Sequence, residues 1–372
     1  MSGRTSPPFR ADHVGSLLRP PRLHEAREDF AAGRITAGDL RAVEDEEIRG
    51  AIRMQEDVGL QSATDGEFRR ASWHMDFIYA LGGVSKAPGN MTVKFRNAAG
   101  EIEFTPASIR VDGKIRIEDT IFADAFTFLR DHVSTAVPKL TIPSPNMVHY
   151  RGGPAMLDPA VYPDLEGFWA DLAGAYAEEV ARLAGLGCTY LQVDDTSLAY
   201  LNDPAQRAQI SGRGEDAGRL HLRYIGQINA AVRDRPAAMA VTVHLCRGNF
   251  RSSWVASGGY DFVAEALFSE LAVDGFFLEY DDARSGGFEP LRFVPPGKMV
   301  VLGLVTTKRP ELESGDDLKR RVDAAARYVP LDQLCLSGQC GFSSTVEGNT
   351  LSHDQQAAKL ELIVKVAADV WG

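Results

Sequence analysis

The chain has 372 residues, 44% hydrophobic and 24% charged, a balance that supports a sizeable buried core and excludes a disordered polymer. Its formal net charge of −11, with no lysine- or arginine-rich block to override it locally, argues against a nucleic acid partner. The first residues are polar, no run of about 18 apolar residues occurs, and four irregularly spaced cysteines make no disulfide framework, so a cytoplasmic protein without membrane contact is expected.

From the N-terminus onward, short β-branched or apolar runs end in polar or glycine residues and are followed by helical periodicity, which predicts repeated βα units. The predicted strands fall near 12–16, 61–66, 138–143, 188–194, 239–245, 275–279, 299–304 and 334–338. Eight is the strand number of a TIM (β/α)8 barrel, and with no linker or repeat in view the expectation is a single α/β barrel domain over 1–372. An open doubly wound sheet is the alternative arrangement of the same units. Thr36 and Asp39 have capping-box spacing and open an early helix. The stretch 91–118 alternates apolar and polar residues around turn signals at Ala99-Gly100 and Asp112-Gly113, predicting a β-hairpin insertion at about 88–120. Leu165, Phe168, Leu172, Tyr176, Val180 and Leu183 then form one apolar helical face that stops at Gly185 and Gly187. Ser352 and Gln355 cap a final helix carrying Leu360, Ile363, Val364, Ala367 and Trp371.

The chemistry is carried by four residues at predicted strand ends. In AVTVHLCRGN, His244 and Cys246 are two apart and leave the same face of an extended chain. Glu279 ends the strand in GFFLEYDD, and Cys340 lies just beyond the strand in LCLSGQCGF. In a barrel those ends converge on the C-terminal face. Two thiolates, an imidazole and a carboxylate suit Zn2+ better than Mg2+ or Ca2+, and ligands drawn from three strand ends suggest a catalytic site. A carboxylate ligand can yield its place to an incoming sulfur, which would keep a substrate thiol ionised near neutral pH, where a free thiol of pKa about 8.5 is mostly protonated. Each ligand also has a plainer reading: buried cysteines often act as small hydrophobes, His-x-Cys occurs by chance, and Glu279 could simply open the acidic loop Asp281-Asp282. Cys188 and Cys335, inside apolar runs, are assigned to packing.

The ordered segments HVGS, DGEF, QVDD, HLC, FFLEYDD and QCGF resemble the catalytic barrel of cobalamin-independent methionine synthase, from about residue 12 to the end. The resemblance implies that His244, Cys246, Glu279 and Cys340 hold zinc, which binds the sulfur of homocysteine. It also implies that Gly15, Ser16, Glu67 and Asp194 hold the amino-acid part. The chemistry agrees, since an ammonium group needs carboxylates and the N–H and hydroxyl of Ser16 suit a carboxylate. The alternatives are an ion pair of Glu67 with Arg69 or Arg70 on the surface, and a helix N-cap role for Asp194.

The sequence also departs from that family. It has the counterpart of only one of the two barrels of the full enzyme. The family's proton-donating histidine would fall near Thr306 in VVLGLVTTKRP, where none stands. The folate-holding arginine and proline segment has no clear match around TPASIR, nor has the folate-wall tryptophan in SPNMVHY. His149 and His74 are the substitute candidates for acid work, against readings as pocket-shaping and packing residues. The expected function is zinc-dependent methyl transfer from a donor such as 5-methyltetrahydrofolate to homocysteine or a similar thiol. The partners would be those small molecules, with a homodimer left open. One alternative is a zinc alkyltransferase acting on another thiol, such as coenzyme M, or taking its group from a methylcobalamin protein. Another is a non-catalytic zinc protein that binds thiols. A porphyrin-decarboxylase type of barrel is disfavoured, because its cationic clamps are missing.

Overall fold

The computed structural model describes residues 4–88, 93–97, 100–104 and 108–372. Strand β1 (Ser62–Ala63) is followed by β2 (Gly82–Ala87), β3 (Val93–Asn97), β4 (Gly100–Phe104) and β5 (Ser108–Arg116). Then come β6 (Val137–Pro143), β7 (Tyr190–Asp195), β8 (Ala240–Leu245), β9 (Gly275–Glu279), β10 (Met299–Val305) and β11 (Leu334–Gly338). One curled parallel sheet runs in the order β1-β6-β7-β8-β9-β10-β11. Sequential neighbours joined by helical crossovers exclude a doubly wound order, in which the strand sequence would reverse.

Six predicted strands of the sheet are present at full length, while the second shrinks to Ser62–Ala63. The first, near 12–16, is not a regular strand. Ala11 forms a single parallel bridge to Leu336 in β11, and beyond it the carbonyls of His13, Val14 and Gly15 accept from the side chains of Lys139, Gln192 and Thr64. Those carbonyls are satisfied by side chains from inside the sheet instead of by a neighbouring backbone, so no ladder forms. The segment nevertheless reaches both edges: Asp12 N donates to Leu336 O (3.0 Å), and Leu17 N to Gly66 O (3.1 Å) just past β1.

Period-two alternation sorts the side chains. In β8, Val241, Val243 and Leu245 join the main hydrophobic core, whereas Thr242 and His244 point to the other face. In β9, Phe276 and Leu278 join that same core, while Phe277 packs on the concave side with Val14, Met299, Val301 and Cys335. Helices cover the convex side. Asp164 caps the helix Leu165–Gly185 through Gly167 N (3.0 Å), and all of the predicted apolar positions from Phe168 to Leu183 are buried. The capping boxes at Thr36/Asp39 and Ser352/Gln355 are both formed.

The excursion between β1 and β6 differs from the single hairpin expected. β3 and β4 pair antiparallel, and so do β2 and β5, which makes two nested pairs beginning before residue 88. Ala99 lies outside the described residues. Asp112-Gly113 is not a turn. It sits within β5, where the register shifts between Gly82 and Val84 and Gly113 packs on Gly83; a Cβ at Gly83 (φ +84°) would come within 2.4 Å of Lys114 O. The glycine pair serves a bulge, which local sequence does not distinguish from a turn.

Candidate metal centre and substrate cavity

β8 delivers His244 at its end, and Cys246 follows one step beyond it on the same side. β9 delivers Glu279, and the loop after β11 delivers Cys340. One ligand atom from each of the four lies within 4.8 Å of all the others. The two sulfurs are 3.5 Å apart. All four residues are buried, yet both ring nitrogens of His244 and both carboxylate oxygens of Glu279 have no hydrogen-bond partner among the described residues. A buried unpaired carboxylate is costly by several kcal/mol, and a cation amid the four groups is the simplest way to satisfy them together. The acidic-loop reading of Glu279 fails, because its side chain is fully buried.

Neighbouring residues fix these four candidate ligands. The buried Arg247 donates from Nη1 to Glu279 O (2.9 Å) and to the Tyr260 hydroxyl (3.0 Å), and Glu279 N donates to that same hydroxyl (2.8 Å). Both backbone polar groups of Glu279 are thus held, while both oxygens of its side chain are left unpartnered. Gly248 N donates to Cys246 Sγ (3.3 Å). Beyond Cys340, Gly341 O accepts from Asn249 Nδ2 (2.7 Å) and Thr307 Oγ1 (3.1 Å). The hydrogen bond from Cys246 holds the Cys340 thiol well below its ordinary value, while the same contact holds Cys246 well above it.

Beside this cluster opens a cavity of about 370 Å³, onto which His244, Cys246 and Cys340 face together with Ser16, Glu67 and Asp194. Ser16 packs so closely on Gly341 that a Cβ there would stand 1.9 Å from Ser16 Oγ. Gly15, at φ +141°, lets the chain pass Thr141, whose methyl would be 2.7 Å from an added Cβ. Glu67 is in the left-handed region (φ 61°), where its Oε1 accepts from Thr141 Oγ1 (2.8 Å) and lies 3.5 Å from Arg70. Its ion pair with Arg70 exists, but in the interior and not on the surface, and Oε2 is left without a partner. Burial raises the Glu67 carboxyl, with Arg70 working against it.

Asp194 accepts from Gln192 Nε2 (2.7 Å), and burial pushes its carboxyl up to about 7, with His244 opposing and Glu67 adding to the rise. Its neighbour Asp195, not Asp194, accepts from Leu198 N (2.7 Å) in the following helical turn and from Asn146 Nδ2 (2.8 Å). Successive strand residues face opposite ways, which separates two adjacent carboxylates into one engaged with the framework and one facing the cavity.

The histidine candidates divide. His74 lines the cavity, its ring 4.4 Å from that of Trp73, with Nδ1 3.1 Å from Ser72 Oγ and Nε2 unpartnered. Burial holds it well below its usual value, so it is neutral and offers a hydrogen bond, not a ready proton. His149 does not line this cavity. It is buried beside Trp169, with Nδ1 3.0 Å from the Tyr224 hydroxyl, and burial first and Arg213 second push it down to about 3. His149, a weak candidate for acid work, therefore lies outside the cavity beside the ligand cluster.

Near Thr306 there is indeed no histidine, and Thr306 Oγ1 donates to Asp281 (2.9 Å). Two residues on, however, stands Lys308, buried and with Nζ unpartnered, whose charge acts on Glu279, Cys246 and Cys340. Sequence reading missed it, and also Arg247, Tyr260 and Asn249. Arg247 and Asn249 adjoin the HLC string, which was their only local hint, while Tyr260 and Lys308 lie far from every ligand string in sequence. Cys188 and Cys335 are buried away from the cluster, and burial pushes each thiol up to about 12, in line with a packing role. No helix among the described residues is long and apolar enough to cross a membrane.

Residues 9–369 match the family described as cobalamin-independent synthase, catalytic domain. The uncharacterized protein YxjH of Bacillus subtilis is 47% identical over 365 residues, which is 98% of this chain and 95% of that protein. The methionine synthase of Pyrococcus abyssi is 25% identical over 333 residues, 88% of this chain and 85% of that one. A solved structure from Listeria monocytogenes, 38% identical, superposes with a TM-score of 0.79 over 99% of this chain and 100% of the other. With the match spanning nearly its whole length, the chain belongs to the cobalamin-independent methionine synthase catalytic-domain family and is a methyltransferase of that kind.

Proposed function

We propose that this protein is a zinc-dependent S-methyltransferase that moves a methyl group from a donor such as 5-methyltetrahydrofolate to homocysteine or a similar thiol. The observation that carries the reading is the convergence of His244, Cys246, Glu279 and Cys340 within 4.8 Å, with orphaned buried ligand atoms on His244 and Glu279. The donor set fits zinc: two soft sulfurs, one imidazole nitrogen and one displaceable carboxylate. Bound there, zinc supplies the positive charge that keeps a substrate thiol ionised at neutral pH.

The chain's own residues do the rest. Glu67 and Asp194 offer carboxylates to an α-ammonium group, and Ser16 offers a hydroxyl to an α-carboxylate, all on the cavity that His244, Cys246 and Cys340 line. Gly15 and Gly341 are glycines for clearance, one against Thr141 and the other against Ser16. Holding the nucleophile and the methyl carbon in line within a confined cavity contributes on the order of 7–11 kcal/mol to lowering the barrier. An amino-acid thiol is favoured over a sulfonate thiol such as coenzyme M, because two buried carboxylates would repel a second anion.

In the same reading, the segment Arg10–Leu17 is the eighth stave that closes the curled sheet into a (β/α)8 barrel, with β2–β5 as an insertion on a single domain. Zinc-edge X-ray absorption with a panel of thiols tests the function: homocysteine should add one sulfur to the metal's shell. Single-turnover assays with labelled methyl donors should then yield a thioether. Thiol binding without any transfer would favour the non-catalytic alternative, and no change with homocysteine would sink the proposal.

A further inference from the structure

Lys308 is the one buried charge at the site that the proposed chemistry leaves without a task. Its residue is 7% exposed, and its Nζ has neither a hydrogen bond nor an ion pair among the described residues. The backbone there is firmly placed: Lys308 N donates to Thr306 Oγ1 (3.3 Å), and Thr307 N and Oγ1 donate to Gln339 Oε1 (2.9 and 2.8 Å) in the loop that carries Cys340. Neither Lys308 nor Glu279 lines the substrate cavity.

β10, which leads into Lys308, pairs with β9 at Gly303 and Glu279, and Thr306 Oγ1 donates to Asp281 Oδ2 (2.9 Å), so the backbone of Lys308 runs beside the end of β9 that carries Glu279. Burial raises that carboxyl most, and Lys308 is the strongest of the charges acting on it. The remaining charged neighbours are Cys340 and Asp281, which repel it, and Arg284. Arg284 is already engaged, with Nε 2.9 Å from Asp282 Oδ1 and Nη2 3.1 Å from Asp281 Oδ1. Arg284 keeps only Nη1 unpartnered, whereas Lys308 has no hydrogen bond or ion pair from Nζ among the described residues and is the less committed of the two cations.

An exchange at the metal centre creates a physical problem that such a cation solves. Two cysteine thiolates and the Glu279 carboxylate already outweigh a divalent ion by one negative charge. If a substrate thiolate takes the carboxylate's place, Glu279 becomes an unpaired anion in the interior, at a cost of several kcal/mol. Arg247 and Tyr260 clamp its backbone, so only the side chain can swing.

We propose that Lys308 is a positioning residue that receives the Glu279 carboxylate when substrate sulfur displaces it. With zinc held by these four residues, a substrate sulfur taking the carboxylate's place would give up its proton to solvent, and Glu279 would stay ionised against Lys308. This rests on the zinc–thiol reading above and adds to it the element that makes the carboxylate displaceable.

The test compares wild type with Lys308→Met and Lys308→Arg, using zinc affinity, homocysteine affinity and zinc-edge absorption. Lys308→Met should keep or tighten zinc, since it removes a cation beside a cation site. It should also bind homocysteine at least about tenfold more weakly and retain oxygen in the metal's shell. Lys308→Arg should restore both homocysteine binding and the sulfur-for-oxygen exchange. A merely structural lysine would instead lower zinc and thiol affinity together, and that result overturns the proposal. So does a Lys308→Met variant that binds homocysteine with wild-type affinity and full exchange. If the wild-type protein itself gains no metal–sulfur contact with homocysteine, the functional reading fails first, which is a distinguishable outcome. Should Lys308→Met not fold, a wild-type crystal structure with zinc and homocysteine decides. Glu279 within hydrogen-bonding distance of Lys308 Nζ supports the inference, and Glu279 still on the metal overturns it.

Discussion

Two polar layers lie on the concave side of the curled sheet, and they differ in one respect. In the lower layer, Asp12 accepts from Lys139 Nζ (3.2 Å), Ser62 Oγ (2.9 Å), the Tyr190 hydroxyl (2.8 Å) and the backbone N–H groups of Phe9 (3.1 Å) and His13 (2.8 Å). Both oxygens are engaged, and Lys139 also donates to His13 O (2.5 Å). In the upper layer, His244, Glu279, Glu67 Oε2 and Lys308 Nζ have no such partners. Both layers are equally buried, so burial alone does not mark a site. What sets the upper layer apart is that several unpartnered charged or metal-ligating groups gather around one point, with His244, Cys246, Glu279 and Cys340 within 4.8 Å of one another.

The sharpest way to break this comparison is to remove a ligand from the upper layer. Cys340→Ala should abolish stoichiometric metal binding, measured by elemental analysis, and reduce methyl transfer by at least roughly a thousandfold. Its melting temperature without metal should change little. Retained metal would mean that the four groups do not act as one site.

In the lower layer the expected effect is on stability instead. Asp12→Asn leaves Lys139 buried beside a neutral partner and should cost about 3 kcal/mol in denaturant unfolding, with metal stoichiometry preserved. Loss of metal at unchanged stability would erase the distinction between the layers.

A smaller effect follows from acidity. An ammonium-bearing thiol needs Asp194 ionised, and burial has pushed that carboxyl up to about 7. Binding of such a thiol is then strong above that pH and weakens as the pH falls through it, by up to about tenfold per unit. Titration calorimetry across this range should show the loss in wild type and a flatter profile in Asp194→Asn. A thiol lacking the amino group should not share the dependence.

The smallest effect is expected at Cys335, which packs with Val14, Phe277, Met299 and Val301. Cys335→Ala should cost roughly 1–2 kcal/mol as a small cavity and leave metal content and transfer unchanged. Equal consequences for Cys335 and Cys340 would make their sorting wrong.

By itself, the sequence determined what short-range pattern can determine. Alternation placed β7, β8 and β9, capping boxes placed helix starts at Thr36 and Ser352, and two-residue spacing put His244 and Cys246 on one face. The ordered strings at strand ends carried the family and the four ligands. Only the tertiary structure decided which buried groups are left unpartnered. It separated Asp194 from Asp195, moved His149 out of the cavity, turned Asp112-Gly113 from a turn into a bulge, and brought Lys308 and Arg247 to Glu279. The reason is that periodicity fixes the direction of a side chain relative to its own backbone, whereas whether a charge is satisfied depends on residues up to hundreds of positions away.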